Sequence, residues 1–390
     1  MASRRAVLAG GAGAAVLAAF GYRAWDRGLF SAGAGPAFAP WADWQGHAGE
    51  GIERPLHAAI LAANPHDTQP WLFVPLGDTI TVLADRTRHL GTFDPFRREM
   101  HLGIGCALVN LVLAANAFSF EPRLLPAAGR LTLSPGPKPV IAARARLTPR
   151  ESNENPLLKH IPRRHTNRGP YRSTRPDGLQ ELSNLVSDKD CRVVLVTDPG
   201  AREDMRRIIL EATEVIISDR EMSADSARWF RTGRREIELH RDGVTTDTAG
   251  ISPWLAAAAK LMPDQDAKSA DQYWLSMTRD TQTATAPVFG MILLRDRFDM
   301  PRTLAAGMAW QQLHLLATAK GLAAQPMNQP VEMMDRNLML GRNDTFGPEL
   351  TKIAKLPGWE PTFIFRMGYA EHDALPSPRR PLSDVIVRRA

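Results

Sequence analysis

Gly105-Cys106-Ala107-Leu108-Val109-Asn110-Leu111-Val112-Leu113-Ala114-Ala115 and Gly307-Met308-Ala309-Trp310-Gln311-Gln312-Leu313-His314-Leu315-Leu316-Ala317 align without a gap, with Gly, Ala, Leu, Leu and Ala at matching positions. Apolar residues recur at helical spacing in both stretches. Two Ala/Leu-rich core helices resemble each other by chance as readily as by repetition, so the surroundings decide. Before the first stretch, Ile52 to Ala63 has a helical pattern that stops at Asn64-Pro65, because the residue before a proline is pushed out of the helical region. Trp71 to Leu76 and Thr79 to Ala84 follow as strand-like runs around Gly77-Asp78, which predicts a hairpin. A long helix is expected from near Asp94-Pro95 to about Phe118, then a strand over Arg130 to Ser134. Around the second stretch the pattern predicts a helix from Asp177, a strand over Arg192 to Thr197, a helix from Ala201 and a strand over Thr362 to Arg366. The order is α+β, with one long apolar helix in each half. Thr245 to Ala270 reads as a loop-like insertion with an apolar run at Trp254 to Leu261 and no counterpart in the first half, hence a lid or cap.

The bulk composition leaves room for a sizeable core: 390 residues, of which 44% are hydrophobic. The 48 Lys and Arg against 42 Asp and Glu give a formal charge of +6, which suits a phosphate-bearing ligand. Arginine is scattered in short pairs rather than gathered in a stripe with aromatics, so a nucleic-acid partner is set aside. The two cysteines, Cys106 and Cys191, lie far from any CxxC or His-rich spacing, which argues against a disulfide framework and a zinc site. At the N-terminus, Arg4-Arg5 precedes a charge-free Gly/Ala-rich run reaching Tyr22, the pattern of a twin-arginine export signal or an uncleaved anchor, so a membrane tether through this end is one expectation. Residues 1–45 are read as signal or anchor plus linker, 46–150 as a first half and 151–390 as a second.

Three segments carry chemistry. Arg163-Arg164-His165-Thr166-Asn167-Arg168 sets guanidinium groups and a hydroxyl within a short turn, a combination able to embrace a dianionic phosphate. Asn64-Pro65-His66-Asp67-Thr68-Gln69-Pro70-Trp71 is a polar loop bracketed by two prolines, suited to presenting N–H and amide groups to a planar heterocycle. The tail runs from the strand-like Phe363 to Tyr369 into Pro378-Arg379-Arg380-Pro381.

Taken in this order, these segments resemble the nitroreductase superfamily, and more closely its Acg-like branch of fused FMN-binding proteins, from about Gly51 to Val387. The resemblance implies an internally duplicated nitroreductase-like fold, a pseudo-dimer in one chain that works as a monomer, with FMN between the halves. It implies that Arg164, His165, Thr166 and Arg168 hold FMN, Arg168 near the N1–C2 carbonyl edge of the ring. Arg380, with Arg379 as the second choice, matches the arginine on the phosphate. The loop Pro326-Met327-Asn328-Gln329 matches the segment passing flavin N5, and Asn64, Pro65, His66, Asp67, Thr68 and Gln69 match the loop that a partner subunit supplies in dimeric relatives. The stretch before Leu56 has no Arg-x-Thr/Ser-x-Arg turn and the second half no Gln-Pro-Trp loop, which leaves one competent FMN site per chain. The activity implied is hydride transfer through flavin N5 from a small-molecule donor such as NAD(P)H to a nitro-aromatic or quinone-like planar acceptor, with no side chain as catalytic acid or base and no metal. The rival is a protein that binds or sequesters FMN without turnover. Asp67 is a departure from the family pattern, expected to need a partner, with His66 the candidate.

Overall fold

The computed structural model describes residues 18, 20–46, 49–185, 189–262 and 266–388; most of the twin-arginine segment lies outside them. Strands β1 (Trp71–Leu76), β2 (Thr79–Ala84), β3 (Phe120–Pro126) and β4 (Val140–Pro149) form one antiparallel sheet in the order β1-β2-β4-β3. Strands β5 (Cys191–Val196), β8 (Val288–Leu294), β9 (Ala323–Pro326) and β10 (Glu360–Gly368) form a second antiparallel sheet, ordered β5-β8-β10-β9, while β6 (Phe230–Arg231) and β7 (Val244–Thr245) pair separately. Counted within its own sheet, each set follows the same order: first, second, fourth, third. Each also places a long helix between its second and third strands. These helices are α1 (Arg98–Ala117) and α2 (Met300–Ala319). The alignment that sets Gly105 on Gly307 also sets Arg98 on Met300 and Ala117 on Ala319, the first and last residues of both helices.

Helices α1 and α2 cross where the two glycines meet. A Cβ on Gly307 would lie 2.0 Å from the Leu102 carbonyl oxygen, and one on Gly105 would lie 2.2 Å from that of Leu304. Only glycine permits this backbone approach. Most of α1 is buried, so its apolar length reflects a core position. The first sheet buries one face, and β2 alternates accordingly. The second sheet is covered on both sides: Ile292, Leu294, Phe363 and Phe365 face the long helices, whereas Phe289, Met291, Leu293 and Ile364 face a cluster with Ile208, Ile209, Met334 and Leu350.

Several expectations change. No strand forms over Arg130 to Ser134; Arg130 makes only an isolated bridge with Asp299, and the sheet is completed by β3 and β4. The helical pattern from Ile52 narrows to a 3-10 turn (Gly51–Glu53) and one helical turn (Leu56–Ala59), since Pro55 interrupts the backbone donors. The insertion is helical rather than loop-like, with helices Pro253–Leu261 and Ala267–Ser276. The stretch read as linker is docked: Ala37, Phe38 and Trp41 are buried.

Candidate functional site

The basic turn is held from beneath. Arg366, fully buried near the end of β10, donates to the carbonyls of Gly169 (2.6 Å) and Gln282 (2.9 Å) and to Gln325 Oε1 (2.7 Å), with its guanidinium 3.9 Å from the Tyr171 ring centroid. The Tyr171 hydroxyl donates to the Asn167 carbonyl, and Asn167 N–H donates to the carbonyl of Ala324, beside which Thr166 forms a parallel bridge. These bonds fix the turn while leaving Arg164, His165, Thr166 and Arg168 to face a cleft.

The proline-bracketed loop faces the same cleft from the first half. His66, Asp67 and Gln69 all adopt positive φ (46°, 56° and 49°), a conformation costly for residues with side chains and sustained only by over-determining contacts. Those contacts are present. Asn64 Oδ1 accepts from Gln69 N–H (2.7 Å), and Asn64 and Pro65 pack on Gly103 of α1. Gln69, fully buried, donates to the Arg241 carbonyl (2.8 Å) and accepts from Arg380 N–H (2.8 Å), clasping loop to tail. Gln311 of α2 accepts from Ala63 N–H (3.2 Å) and donates to Asn110 (2.8 Å), whose amide donates to the Ala58 carbonyl. Gln311→Leu strands buried polar groups on both Ala63 and Asn110, so urea denaturation is expected to register a loss of about 2–4 kcal/mol, each unsatisfied group costing about 1–3 kcal/mol.

Asn64, Asp67, Arg164, His165, Thr166, Arg168 and Arg379 thus line one cleft of about 440 Å³, including space open to solvent at its mouth. Gly243, Val244 and Thr248 close it from the insertion side, and Arg168 donates to the Thr248 carbonyl (3.0 Å). Gly250, at φ +83°, lets this roof approach: a Cβ there would sit 2.3 Å from the Arg168 carbonyl carbon.

The electrostatics are lopsided. Among the lining residues three arginines face one aspartate. Arg164 is buried, donates to the Leu61 carbonyl (3.1 Å) and reaches His314 Nδ1 at 3.5 Å, but forms no ion pair among the described residues. Burial and the neighbouring Arg379 cation lower it to about 10. Burial likewise lowers His165 to about 3 and takes His314 well below its usual value, so both rings are neutral near pH 7. Asp67 pairs with Arg379 and not with His66, which instead contacts Ser226 Oγ at 3.2 Å. Burial outweighs that pairing and raises Asp67 to about 7. The Nε atoms of Arg164 and Arg379 are buried with no partner among the described residues.

Other expected residues lie elsewhere. Arg380 points away from the cleft toward the Asp384 carbonyl (2.7 Å), and Arg379 lines it instead, because successive side chains on an extended chain face opposite ways. Pro65, His66, Thr68 and Gln69 support the loop without lining the cleft. Met327 is in the core, Asn328 spans Glu99 (2.9 Å) and Ile364 N–H (2.8 Å), and Gln329 is buried beside them, so this segment does not reach the cleft either. Sequence reasoning missed Trp41, whose ring lies 4.6 Å from that of His165 and 4.8 Å from the Arg379 guanidinium, with Nε1–H donating to the Ser377 carbonyl. Two tryptophans, Trp41 and Trp44, in an otherwise small-residue stretch were the available signal.

The chain is thus an α+β protein whose cationic cleft is lined by residues from both halves. The chain is 25% identical over 348 residues, 86% of its length and 91% of theirs, to relatives from two strains of Mycobacterium tuberculosis that are named provisionally as NAD(P)H nitroreductases. No protein-family profile matches the chain. Among solved structures, an FMN-dependent nitroreductase from Mycobacterium smegmatis in complex with NADPH covers 60% of this chain with 99% of its own at 17% identity and a TM-score of 0.36. A nitroreductase with bound FMN from Desulfitobacterium hafniense covers 61% with 100% of its own at 15% identity and a TM-score of 0.34.

Proposed function

We propose that the protein is an FMN-dependent oxidoreductase of nitroreductase type, two fused nitroreductase-like halves working as a monomer around a single flavin site. The observation that carries this reading is the buried surplus of positive charge in the cleft. A protein that buries Arg164 without a counter-ion needs an anion from outside. The residues fit the phosphate of FMN: Arg164 and Arg379 each keep a buried guanidinium N–H with no partner among the described residues, and Arg164, Arg168, Arg379 and Thr166 would hold the anionic end. Asn64 and Asp67 would meet the ligand from the other half. When bound, FMN supplies two-electron chemistry, accepting hydride at N5 from a nicotinamide donor and passing it to a nitro-aromatic or quinone-like acceptor. The donor class is supported by the names of the mycobacterial relatives. The chain itself binds, orients and shields; no side chain in the cleft is needed as acid or base. The N-terminal twin arginine supports export by the Tat route, which carries proteins already folded around their cofactor.

The test is the absorbance spectrum and flavin stoichiometry of purified protein: one FMN per chain is expected, and a colourless protein that cannot be loaded with FMN refutes the reading. A second reading, FMN storage without turnover, is favoured by the roof of Val244 and Thr248 over the cleft. Stopped-flow mixing with NADH and NADPH separates the two, prompt bleaching marking the enzyme and persistent yellow the store.

Asp67 makes binding pH-dependent. Raised to about 7, it is largely protonated below neutrality and ionised above, where its charge cancels that of Arg379. FMN affinity is therefore expected to fall between about pH 6.5 and pH 8.5, a window where the phosphate, with its second ionisation near 6, is already mostly dianionic. A folded-state value above the unfolded one also means stability fully present below about pH 4 and lost as pH rises through about 7. Asp67→Asn is expected to flatten the affinity profile in a flavin-fluorescence titration; an unchanged slope would place the titrating group elsewhere.

A further inference from the structure

A second cavity, of about 570 Å³ including its open mouth, shares no residue with the cleft. It lies against the start of α1, on the flank opposite Gly103, where Asn64 and Pro65 pack. Its polar lining is Arg86, Arg97, His101, Arg130 and Thr132, with no carboxylate side chain; the remaining walls, among them Phe96, Leu131, Ile141 and Met300, are apolar. Arg130 is already paired with Asp296. Three of the other four each keep one unsatisfied atom: Arg86 Nε, Arg97 Nε and His101 Nε2 are buried with no partner among the described residues. Arg97 is 7% exposed and His101 1%, and both are anchored on their far side, Arg97 by the Asp94 carbonyl and His101 by a 2.7 Å contact from Nδ1 to the Arg97 carbonyl. That contact requires the proton on Nδ1, so Nε2 presents a lone pair. Burial lowers His101 to about 4, consistent with a neutral ring. Buried polar atoms left without partners cost free energy that a matching ligand recovers.

We propose that this cavity binds a small hydroxylated organic carboxylate with an apolar body. The carboxylate takes the Nε–H groups of Arg86 and Arg97, the hydroxyl donates to His101 Nε2, and the apolar body lies among Phe96, Leu131 and Met300. Nothing in this assignment depends on a flavin in the cleft.

Calorimetric titration with 4-hydroxybenzoate, benzoate, 4-hydroxybenzamide and phenyl phosphate tests it. We expect 4-hydroxybenzoate to bind more tightly than benzoate, and the uncharged amide not to bind. Arg86→Gln, a change at a half-exposed position, is expected to weaken binding about tenfold or more, the scale of a lost charge-assisted hydrogen bond. His101→Phe, which keeps the ring volume, is expected to erase the preference for the hydroxylated acid over benzoate. The proposal is overturned if no heat is seen up to about 10 mM ligand, a limit corresponding to very weak affinity. It is equally overturned if Arg164→Gln abolishes binding while Arg86→Gln does not, which assigns the acid to the cleft, or if phenyl phosphate binds more tightly than either carboxylate.

Discussion

Arg164→Gln is expected to yield protein that folds, melts no lower than its parent in the flavin-free state, and carries no FMN. The two outcomes have one cause. In the folded chain Arg164 is a buried cation on which another arginine, Arg379, exerts the leading charge influence, and whose Nε–H has no acceptor among the described residues. Burying an unpaired charge is destabilising, so removing it offsets the loss of its hydrogen bond to the Leu61 carbonyl. With ligand present the balance reverses. Truncating one member of a buried hydrogen-bonded charge pair costs about 2–5 kcal/mol, a rise in dissociation constant of roughly 30-fold to several thousand-fold. Arg379→Gln supplies the contrast. Arg379 is the lining cation paired with Asp67, so its loss makes the buried carboxyl take up a proton near pH 7 and strands its hydrogen-bond partners, and is expected to reduce folding stability by about 1–3 kcal/mol as well as flavin binding. Flavin content by absorbance and melting of the flavin-free proteins distinguish the two variants. An Arg164→Gln protein that retained FMN through gel filtration would refute the assignment of this arginine to the anion.

What could be read beforehand depended on whether the signal was local. The β1–β2 hairpin announces itself because Gly77 takes the positive φ of +59° that the turn needs, and alternating residues flank it. Both long helices were legible from periodicity, and the basic turn from its residue types. Strand β8 was not: buried on both faces, it shows no alternation, and a continuous apolar run of seven residues reads equally as helix or strand. Strands β3 and β4 were hidden by prolines and alternating arginines on the solvent side. The choice between Arg379 and Arg380 turned on which side of an extended segment faces the cleft, a register set by Gln69 Oε1 accepting from Arg380 N–H across 311 positions of chain. Docking of Trp41 is likewise a tertiary event with no periodic signature. Residue chemistry was visible; the direction in which each side chain points was decided by contacts distant in sequence.

The strongest test of the architecture itself lies at the helix crossing. Gly307→Val is expected to lower stability by more than about 4 kcal/mol, or to prevent recovery of folded protein, and to abolish FMN binding in whatever remains. The obstruction is backbone: a Cβ at Gly307 would lie 2.0 Å from the Leu102 carbonyl oxygen and 2.7 Å from its carbon, atoms that cannot yield without moving α1. In the aligned halves Leu102 corresponds to Leu304, whose carbonyl lies 2.2 Å from a Cβ on Gly105, so the same close contact occurs twice and one substitution forces the helices apart for both. Gly307→Ala gains up to about 1 kcal/mol in helix propensity yet meets the same wall, and is expected to be net destabilising by about 1–3 kcal/mol. The consequence for the site follows from Gln311, one turn along α2, which accepts from Ala63 N–H at the entrance to the Asn64–Gln69 loop. Separating the helices draws Gln311 away from that loop, and with it the half of the cleft that carries Asp67, while the arginine-bearing turn remains held by Arg366. Denaturant unfolding with flavin titration of Gly307→Ala decides the matter: wild-type stability would mean that the two glycines are not in contact and that the halves are joined by some other seam.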